Sequence, residues 1–342
     1  MDRIENAITQ ILDGNGLIVA DVGAANGLPS NLIPLGGTAT ILLFEPNADS
    51  AKALADHLRG SGYRDPRVLP VALASSDGPR TLYVTNQPTG TSLLRPGSDY
   101  FNKFGNPAYF YPVREVTVET RRLDGVLAEA GLQRLDALKI DTQGAELEIL
   151  TGLGQVLADD TLCVELEIGY PGGYIDQPGF GDLDRLITGA GFYLFDLRLA
   201  SGDRHHKGDG GYYRREIFRV SDVSHTITKR IAEADAVYFR RTDQVLERRD
   251  PAIVRRLMVM MCSYNFFVDA HILADEAETA GVLNREQAEA CRRAIRTWHG
   301  AISDVFADSA RFERWRDFLR RAWRFWQKRL LGRRFYRWRD QS

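Results

Sequence analysis

The sequence predicts an α/β protein with a mainly parallel, doubly wound sheet and an antiparallel edge, followed by an α-helical C-terminal extension. Three observations predict this fold. Short apolar runs bounded by glycine alternate with segments of helical spacing, as in parallel sheets covered on both faces. The last strand-like segments, EIFRV and AVYFRR, look antiparallel, which suits a sheet edge. Beyond Asp250 only helical patterns remain, so we place a boundary near residue 248, between domains 1–248 and 249–342.

The strands are predicted in chain order from apolar runs that end at glycine or at a polar turn. Leu17–Asp21 runs into a turn at Gly23–Gly27, Ala39–Asn47 precedes the helical segment ADSAKALADHLRG, and RVLPVALA ends in the turn SSDG. TLYVTN and EVTVET alternate in the manner of half-buried strands on either side of 90–111, which is rich in Gly, Pro, Asn and aromatic residues. Ala137–Asp141 precedes a helix, and LCVELEI and FYLFDLR supply further strands.

The composition is that of an ordinary globular protein, with 44% apolar and 26% charged residues in a chain of 342. The three cysteines, Cys163, Cys262 and Cys291, are far apart, which favours a reducing compartment over a disulfide framework or a zinc site. No apolar run approaches the roughly 18–20 residues that span a bilayer. The N-terminal segment indicates an amphipathic helix rather than a signal peptide. We therefore expect a cytoplasmic protein.

A cofactor site is expected where the first two strands end, because ligands of open α/β sheets bind beyond the carboxyl ends of the strands. The first strand ends in Asp21 and the glycine-containing turn DVGAANG, and the second ends at Glu45. Glycine lets a backbone approach a ligand closely, and a carboxylate after the second strand can accept hydrogen bonds from both ribose hydroxyls. This arrangement serves any cofactor that contains adenosine.

The turn lacks the dinucleotide fingerprint G-x-G-x-x-G, since Ala25 stands at the position of its second glycine and Leu28 at the position of its third. S-adenosylmethionine has no phosphate, and its amino-acid end and sulfonium favour a nearby carboxylate, which Asp21 would supply. A plain strand-to-turn signal is the alternative interpretation of Asp21-x-Gly.

DVGAANG, LLFEPN, VALASSDG, RRLDGVL, LKIDTQGAELEILTGL, VELEIGY and ADAVYFR occur in the order and spacing of the FkbM-type methyltransferase family, over residues 15–242. The chain resembles that family most specifically in KIDTQGAE. The resemblance implies an S-adenosylmethionine-dependent O-methyltransferase with a Rossmann-like class I methyltransferase fold, of which many members act on sugar or polyketide hydroxyls. In this chain the asparagine after the first Gly-Ala stands one place later than usual, at Asn26.

The resemblance also implies which residues hold the cofactor. The methionyl part falls to Asp21, Gly23, Ala24 and Gly27, the ribose to Glu45, and the adenine to Ser75 or its neighbour Ser76. Asp141 falls where such enzymes present groups to the methyl carbon and to the acceptor.

Methyl transfer to a hydroxyl needs alignment and a proton acceptor. The candidates are Asp141, Glu146, Glu165, Glu167, His205 and His206. Glu146 has a helix-capping alternative, and the two histidines, beside Lys207, lie in a polar loop that is either solvated or a lid. Glu165 and Glu167 share one face of a central strand, where acids are costly unless they are paired or functional. Asp141 with one of these could hold a divalent cation.

Two further segments have open interpretations. The insertion carries aromatic residues that either stack on an acceptor or pack into the core: Tyr100, Phe101, Phe104, Tyr109, Phe110 and Tyr111. The segment 311–340 has twelve Lys/Arg against three acids, a net charge of +9, and four of the five tryptophans. Its basic amphipathic pattern predicts a helix on an anionic membrane surface, or one docked on the acidic catalytic domain, also across a homodimer; nucleic acid is the weakest alternative.

The predicted function is therefore S-adenosylmethionine-dependent O-methylation of a sugar, a glycan or a related metabolite. A membrane-associated binding protein that keeps the fold without catalysis is the alternative from another class, and an NAD-dependent oxidoreductase is the other enzyme to consider. A peripheral location at the inner face of the membrane would follow from the basic segment.

Overall fold

The computed structural model describes residues 2–24, 27–98, 110–169, 173–201 and 231–304. Its strands are β1 Leu17–Val22, β2 Ala39–Phe44, β3 Asp65–Leu69, β4 Ala72–Leu73, β5 Gly78–Thr85, β6 Pro112–Arg121, β7 Leu135–Ile140, β8 Thr161–Gly169, β9 Phe192–Ser201 and β10 Ile231–Arg240. Its helices are α1 Asp2–Leu12, α2 Ala48–Leu58, α3 Leu123–Glu129, α4 Glu146–Leu153, α5 Gln155–Asp160, α6 Phe180–Gly189, α7 Thr242–Glu247, α8 Pro251–Ser263 and α9 Phe267–Thr279, followed by α10 over 285–304.

Seven strands form the main sheet in the order β3-β2-β1-β7-β8-β10-β9. The pairs from β3 through β8 are parallel, and β10 is antiparallel to both of its neighbours. Antiparallel pairing therefore lies at the predicted end of the sheet. The reversed strand is one place in from the edge, however, and the edge strand β9 runs in the same direction as β8.

The single strand that the sequence predicts at RVLPVALA is divided between two sheets, because β3 joins the main sheet and β4 does not. β4 forms a separate sheet with two further predicted strands, in the order β4-β6-β5. β5 and β6 pair antiparallel and bury only a few of their residues. The strands at the centre of the main sheet are buried on both faces, as a sheet covered on both sides requires. The half-exposed alternation of β5 and β6 therefore marks strands that lie outside the doubly wound layer.

Helices cover both faces of the main sheet, which confirms the doubly wound prediction. The alternate residues Leu17 and Val19 of β1 enter a core that they share with α1 and α8–α10, whereas Ile18 and Ala20 enter a core that they share with α3, α4 and α6. This partition follows from the alternation of side chains along a strand.

The described part of the C-terminal extension belongs to the first of these cores. Asp250 caps α8 by accepting a hydrogen bond from Ala252 N at 2.8 Å, with Pro251 at the first helical position. Arg255 donates to the carbonyl of Ile11 at 3.2 Å, and Arg256 forms an ion pair with the buried Asp136 at 2.8 Å. The boundary near residue 248 stays a prediction. Helices α8–α10 complete the core on the face of the sheet that also packs against α1.

Candidate functional site

An open cleft lies at the carboxyl ends of β1, β2 and β7. The strand order changes direction here, because the chain adds β2 and β3 on one side of β1 and β7 and β8 on the other. This is the position where open α/β sheets bind ligands. Val22, Gly23 and Asp141 line its base, and 44–46, 71–73 and part of 88–93 form its walls. The cleft holds about 610 Å³ of free space, counting the part that is open to solvent.

Gly23 has a steric reason to be glycine. Its φ is +87°, and a Cβ built on it would lie 1.9 Å from the carbonyl oxygen of Asp141. Asp141 N in turn donates to Val22 O at 2.9 Å, so the ends of β1 and β7 are in direct contact. Gly27 also has a positive φ, +76°, but a Cβ there meets only Leu54 at 3.8 Å. The amides of Gly23 and of the buried Ala24 both donate to Phe44 O.

Glu45 lines the cleft directly after β2 and is 7% exposed. Its Oε1 accepts a hydrogen bond from Asn47 N at 2.9 Å, and Asn47 caps α2. Burial raises the pKa of the Glu45 carboxyl above its ordinary value, although the hydrogen bond from Asn47 opposes this. The second strand therefore delivers a carboxylate to the cleft, as the sequence predicts.

Ser75 does not line the cleft. The wall after β3 consists of 71–73, because the chain enters β4 at Ala72 and leads Ser75 away from the opening. The carbonyl of Ser75 accepts a hydrogen bond from Arg122 Nη1 at 3.1 Å.

Asp21 is 1% exposed and lies beside Lys139, its partner in the β1–β7 register. Lys139 Nζ is 3.4 Å from Asp21 Oδ1 and 3.5 Å from Asp141 Oδ2. Asp21 Oδ2 is buried and has no hydrogen-bond partner among the described residues. Burial raises the pKa of Asp21 to about 6, against the opposing effect of Lys139.

Lys139 is not among the residues predicted from the sequence. Burial opposes its charge, but the carboxylates of Asp21, Asp141 and Glu165 outweigh that effect and raise its pKa. The available signal was a lysine within the apolar run LDALKI, since a buried cation needs partners on neighbouring strands.

Gln143 connects two of the predicted acids. Its Nε2 donates to Asp141 Oδ1 at 3.1 Å and to Glu167 Oε2, and its Oε1 accepts from Tyr174 OH at 3.1 Å. Burial, the charge of Asp141 and a hydrogen bond between these two carboxyls raise the pKa of Glu167 well above its ordinary value.

Glu165 lies on the same face of β8 but in a different environment. It is 5% exposed, and its Oε2 accepts a hydrogen bond at 2.7 Å from the hydroxyl of Tyr264, the residue that follows α8. Arg198 on β9 is 3.9 Å from its other oxygen. Glu165 thus contributes to the charge environment of Lys139. It does not line the cleft.

Glu146 is the first residue of α4, and the structure shows no side-chain capping bond at the start of this helix. Its Oε1 accepts hydrogen bonds from the amides of Thr142 at 3.0 Å and Gly144 at 3.1 Å, which precede the helix, so Glu146 orders this loop. The 142–144 loop is thereby fixed below the cleft.

Several predicted residues lie outside the described residues: Ala25 and Asn26, Tyr100, Phe101, Phe104 and Tyr109, His205, His206 and Lys207, and the basic segment 311–340. Of the aromatic residues in the insertion, Phe110 is buried and packs edge-on against Tyr174, whereas Tyr111 is 67% exposed.

Within the described ranges, no group of three His, Cys, Asp or Glu side chains could hold a metal ion. In that same part of the chain, no helix is both long and apolar enough to cross a membrane.

The strand order, the reversed β10 and the cleft at the switch point define a Rossmann-like protein of the methyltransferase type. Residues 21–194, just over half of the chain, match the model of the Methyltransferase FkbM domain. The chain belongs to this family of methyltransferases.

Two curated proteins are similar to the chain. The "2-O-methyltransferase NoeI" of Sinorhizobium fredii is 24% identical over 158 residues, which are 44% of this chain and 63% of NoeI. The chain therefore spans less than two thirds of NoeI. "Methyltransferase sdnD" of Sordaria araneosa is 32% identical over 203 residues, covering 53% of this chain and 75% of sdnD.

Solved structures with a similar fold include the methyltransferase FkbM from Methylobacillus flagellatus, with 13% identity and a TM-score of 0.38 over 66% of this chain and 43% of that one. The precorrin-6y C5,15-methyltransferase from Geobacter metallireducens has 10% identity and a TM-score of 0.32 over 69% of this chain and 87% of that one.

Proposed function

We propose that the protein is an S-adenosylmethionine-dependent O-methyltransferase that acts on a hydroxyl of a sugar, a glycan or a related metabolite. The observation that carries this proposal is the cleft at the carboxyl ends of β1, β2 and β7, which Gly23, Glu45 and Asp141 line. Near the end of β1 the buried Asp21 has an oxygen, Oδ2, that lacks a partner among the described residues.

The residues around the cleft fit S-adenosylmethionine. Glu45 lies where a carboxylate can accept hydrogen bonds from both ribose hydroxyls, and the apolar side chains of 71–73, Leu93 and Ala145 offer a surface for adenine. Asp21 Oδ2 provides the acceptor that an α-ammonium group requires. A buried carboxylate oxygen without a donor is costly, and a bound ammonium would remove that cost.

Among the described acids, Asp141 has the geometry of a proton acceptor. It lines the cleft, its side chain is 37% exposed, and it is paired with Lys139. Burial and the charge of Asp141 raise the pKa of Glu167 well above its ordinary value, and Glu165 is committed to Tyr264. We therefore assign proton removal from the acceptor hydroxyl to Asp141 and leave Glu167 as its neighbour.

When bound, S-adenosylmethionine supplies an electrophilic methyl group on a sulfonium. Asp141 would accept the proton of the acceptor hydroxyl as its oxygen took up the methyl group, and S-adenosylhomocysteine would remain as the neutral product. Alignment of the acceptor with the methyl group accounts for a large part of such rates, and a base typically adds about 10²–10⁴-fold. A hydroxyl acceptor is supported by the printed name of NoeI, a 2-O-methyltransferase.

Isothermal titration of the full chain with S-adenosylmethionine, S-adenosylhomocysteine and NAD tests the cofactor. We expect the two adenosyl ligands to bind and NAD not to bind. Glu45→Ala should weaken S-adenosylhomocysteine binding by about 10- to 100-fold, as expected for hydrogen bonds to a charged group. Asp49→Ala, an exposed acid on α2, is the control and should bind like the natural chain. Binding of NAD alone would overturn the proposal.

Transfer of a labelled methyl group to a panel of mono- and oligosaccharides tests the acceptor. Label in a hydroxyl-linked methyl group that Asp141→Asn abolishes would support O-methylation. A chain that binds S-adenosylhomocysteine but methylates no hydroxyl in the panel would favour the binding protein without catalysis.

We also propose that the segment 311–340 attaches the protein to an anionic membrane surface, which is supported by its charge of +9 and its four tryptophans. Vesicles with and without anionic lipid should sediment the full chain selectively, and a chain that ends at Asp304 should stay in solution. Equal sedimentation of both chains would exclude this role, and a dimer that is lost with the segment would favour docking between two copies.

A further inference from the structure

Gln143 combines an unusual backbone with an unusual set of partners. Its φ is +59°, one of five positive values among the described non-glycine residues. Left-handed backbone is uncommon for a long side chain and persists where the surroundings enforce it. The next residue, Gly144, has φ +110°, and Glu146 holds the amides on both sides of Gln143.

The side-chain amide of Gln143 uses both of its N–H donors and its oxygen. One N–H donates to Asp141 Oδ1 and the other to Glu167 Oε2, while Oε1 accepts from Tyr174 OH. Because the amide donates to one oxygen of each carboxyl, it holds the two carboxyls in one relative orientation. A left-handed backbone is what aims the side chain back at Asp141, two residues earlier.

The backbone of Gln143 is also tied to the wall of the cleft. Ser92, which lines the cleft, donates through Oγ to the carbonyl of Gln143 at 2.9 Å. Tyr174 OH additionally lies 2.9 Å from the carbonyl of Gly90 in the same wall. One residue therefore connects the two carboxyls to the wall that borders the cleft.

We propose that Gln143 is a positioning residue: its amide fixes the Asp141–Glu167 carboxyl pair in one orientation and couples that pair to the wall of the cleft. The functional part of this inference rests on the proposed methyl transfer, in which Asp141 accepts the proton. The geometric part concerns only the carboxyl pair and is measured separately.

The charged and titratable groups around the pair come from every element packed against it: Asp21 on β1, Lys139 on β7, Glu165 on β8, Arg198 on β9, Glu233 and Asp235 on β10, and Glu146 on α4. The test is therefore made at one fixed, neutral pH on the intact chain, so that these groups keep their charge states.

The test is the infrared absorption of the Glu167 carboxyl, which is assigned by its loss in Glu167→Gln. In the natural chain Glu167 Oε2 accepts a hydrogen bond from Gln143, which lowers the stretching frequency of this carboxyl. Gln143→Gly removes the amide and suits the left-handed backbone, so we expect a shift of this band to higher frequency. Gln143→Met keeps the length of the side chain without a donor and should give the same shift.

Gln155→Met is the matched control, because Gln155 donates to Asp159 at 2.9 Å on the exposed face of α5. It should leave the Glu167 band unchanged. A band that stays at its natural frequency in both Gln143 variants would overturn the proposal, as would the absence of any band that Glu167→Gln removes.

The functional part has its own measurement. With an acceptor from the saccharide panel, Gln143→Gly should lower kcat by about 10- to 100-fold, the size expected from misplacing a reacting group by about 1 Å. If the natural chain does not bind S-adenosylhomocysteine, the proposed function fails while the infrared result still decides the geometry. An unchanged kcat together with a shifted band would limit Gln143 to a structural role.

Discussion

At the scale of single residues, the base of the cleft is defined by the close approach of the backbones at the ends of β1 and β7. Gly23 and Asp141 meet where β1 and β7 end, and the separation leaves no room for a methyl group. Both strand ends carry a carboxylate, Asp21 and Asp141, with Lys139 between them. A side chain at Gly23 would therefore displace both strand ends, and with them the carboxylates of Asp21 and Asp141.

Gly23→Ala should destabilise the fold by at least about 2 kcal/mol, because it adds a clash with Asp141 O to the strain of a positive φ. Gly27→Ala has the strain without the clash and should cost about 1 kcal/mol. Urea unfolding of the two variants measures the difference. Equal losses would show that β1 and β7 can separate freely.

Asp21 predicts a pH dependence of cofactor binding. Its pKa is raised to about 6, so it is charged above that pH and protonated below it. An ammonium ligand binds the charged form, and affinity for S-adenosylhomocysteine should therefore fall about tenfold per pH unit below about 6. Calorimetry over this range measures the slope.

Asp235→Asn separates Asp21 from the other acid that titrates in the same range. Burial and the charges of Glu165 and Asp141 raise the pKa of Asp235 to about 6 as well, but it lies on β10, across β7 and β8 from β1. Asp235→Asn should keep the slope and Asp21→Asn should remove it. A slope that follows Asp235 would place the ammonium elsewhere.

At the scale of elements, the end of α8 is joined to β8 by the hydroxyl of Tyr264, the residue that follows the helix. Tyr264 is buried, and its hydrogen bond to Glu165 links the helical extension to the strand beside Lys139. Tyr264→Phe leaves a buried carboxylate oxygen without its donor, so we expect a loss of about 1–3 kcal/mol in the free energy of unfolding.

A double-mutant cycle isolates that bond. Glu165→Gln and the double variant complete the cycle, and the coupling between the two positions should be clearly positive. Additive effects would mean that Tyr264 stabilises the protein through its ring alone, which packs edge-on against Phe239.

The elements that the sequence predicted well are those whose burial is decided locally. β1, β2, β7 and β8 are apolar runs bounded by glycine or polar turns, and Glu45 and Asp141 reach one cleft because the carboxyl ends of parallel strands share an edge. The partners of β4, β5 and β6 depend on tertiary contacts that no local pattern encodes. Lys139, Gln143 and Tyr264 were missed for the same reason, since each acts through residues on other elements. The binding roles of Asp21, Gly23, Ala24, Gly27, Glu45 and Ser75 stay predictions.

For the molecule as a whole, α8–α10 complete one of its two cores. A chain that ends at residue 248 would expose the face of the sheet that these helices cover, including Val237 and Phe239. We expect that chain to lose cooperative thermal unfolding, whereas a chain that ends at Asp304 should keep it. Calorimetric unfolding of the two chains compares them, and a cooperative transition in the shorter one would establish an independent first domain.

The reversed strand β10 has a consequence for how this protein can diversify. Ser201 ends β9 and Ile231 begins β10, and the two are paired in register at the same edge of the sheet as the cleft. The chain thus leaves and re-enters the sheet at adjacent points. A segment of different length or composition can therefore be exchanged between these two points during evolution without altering the pairing of β9 with β10.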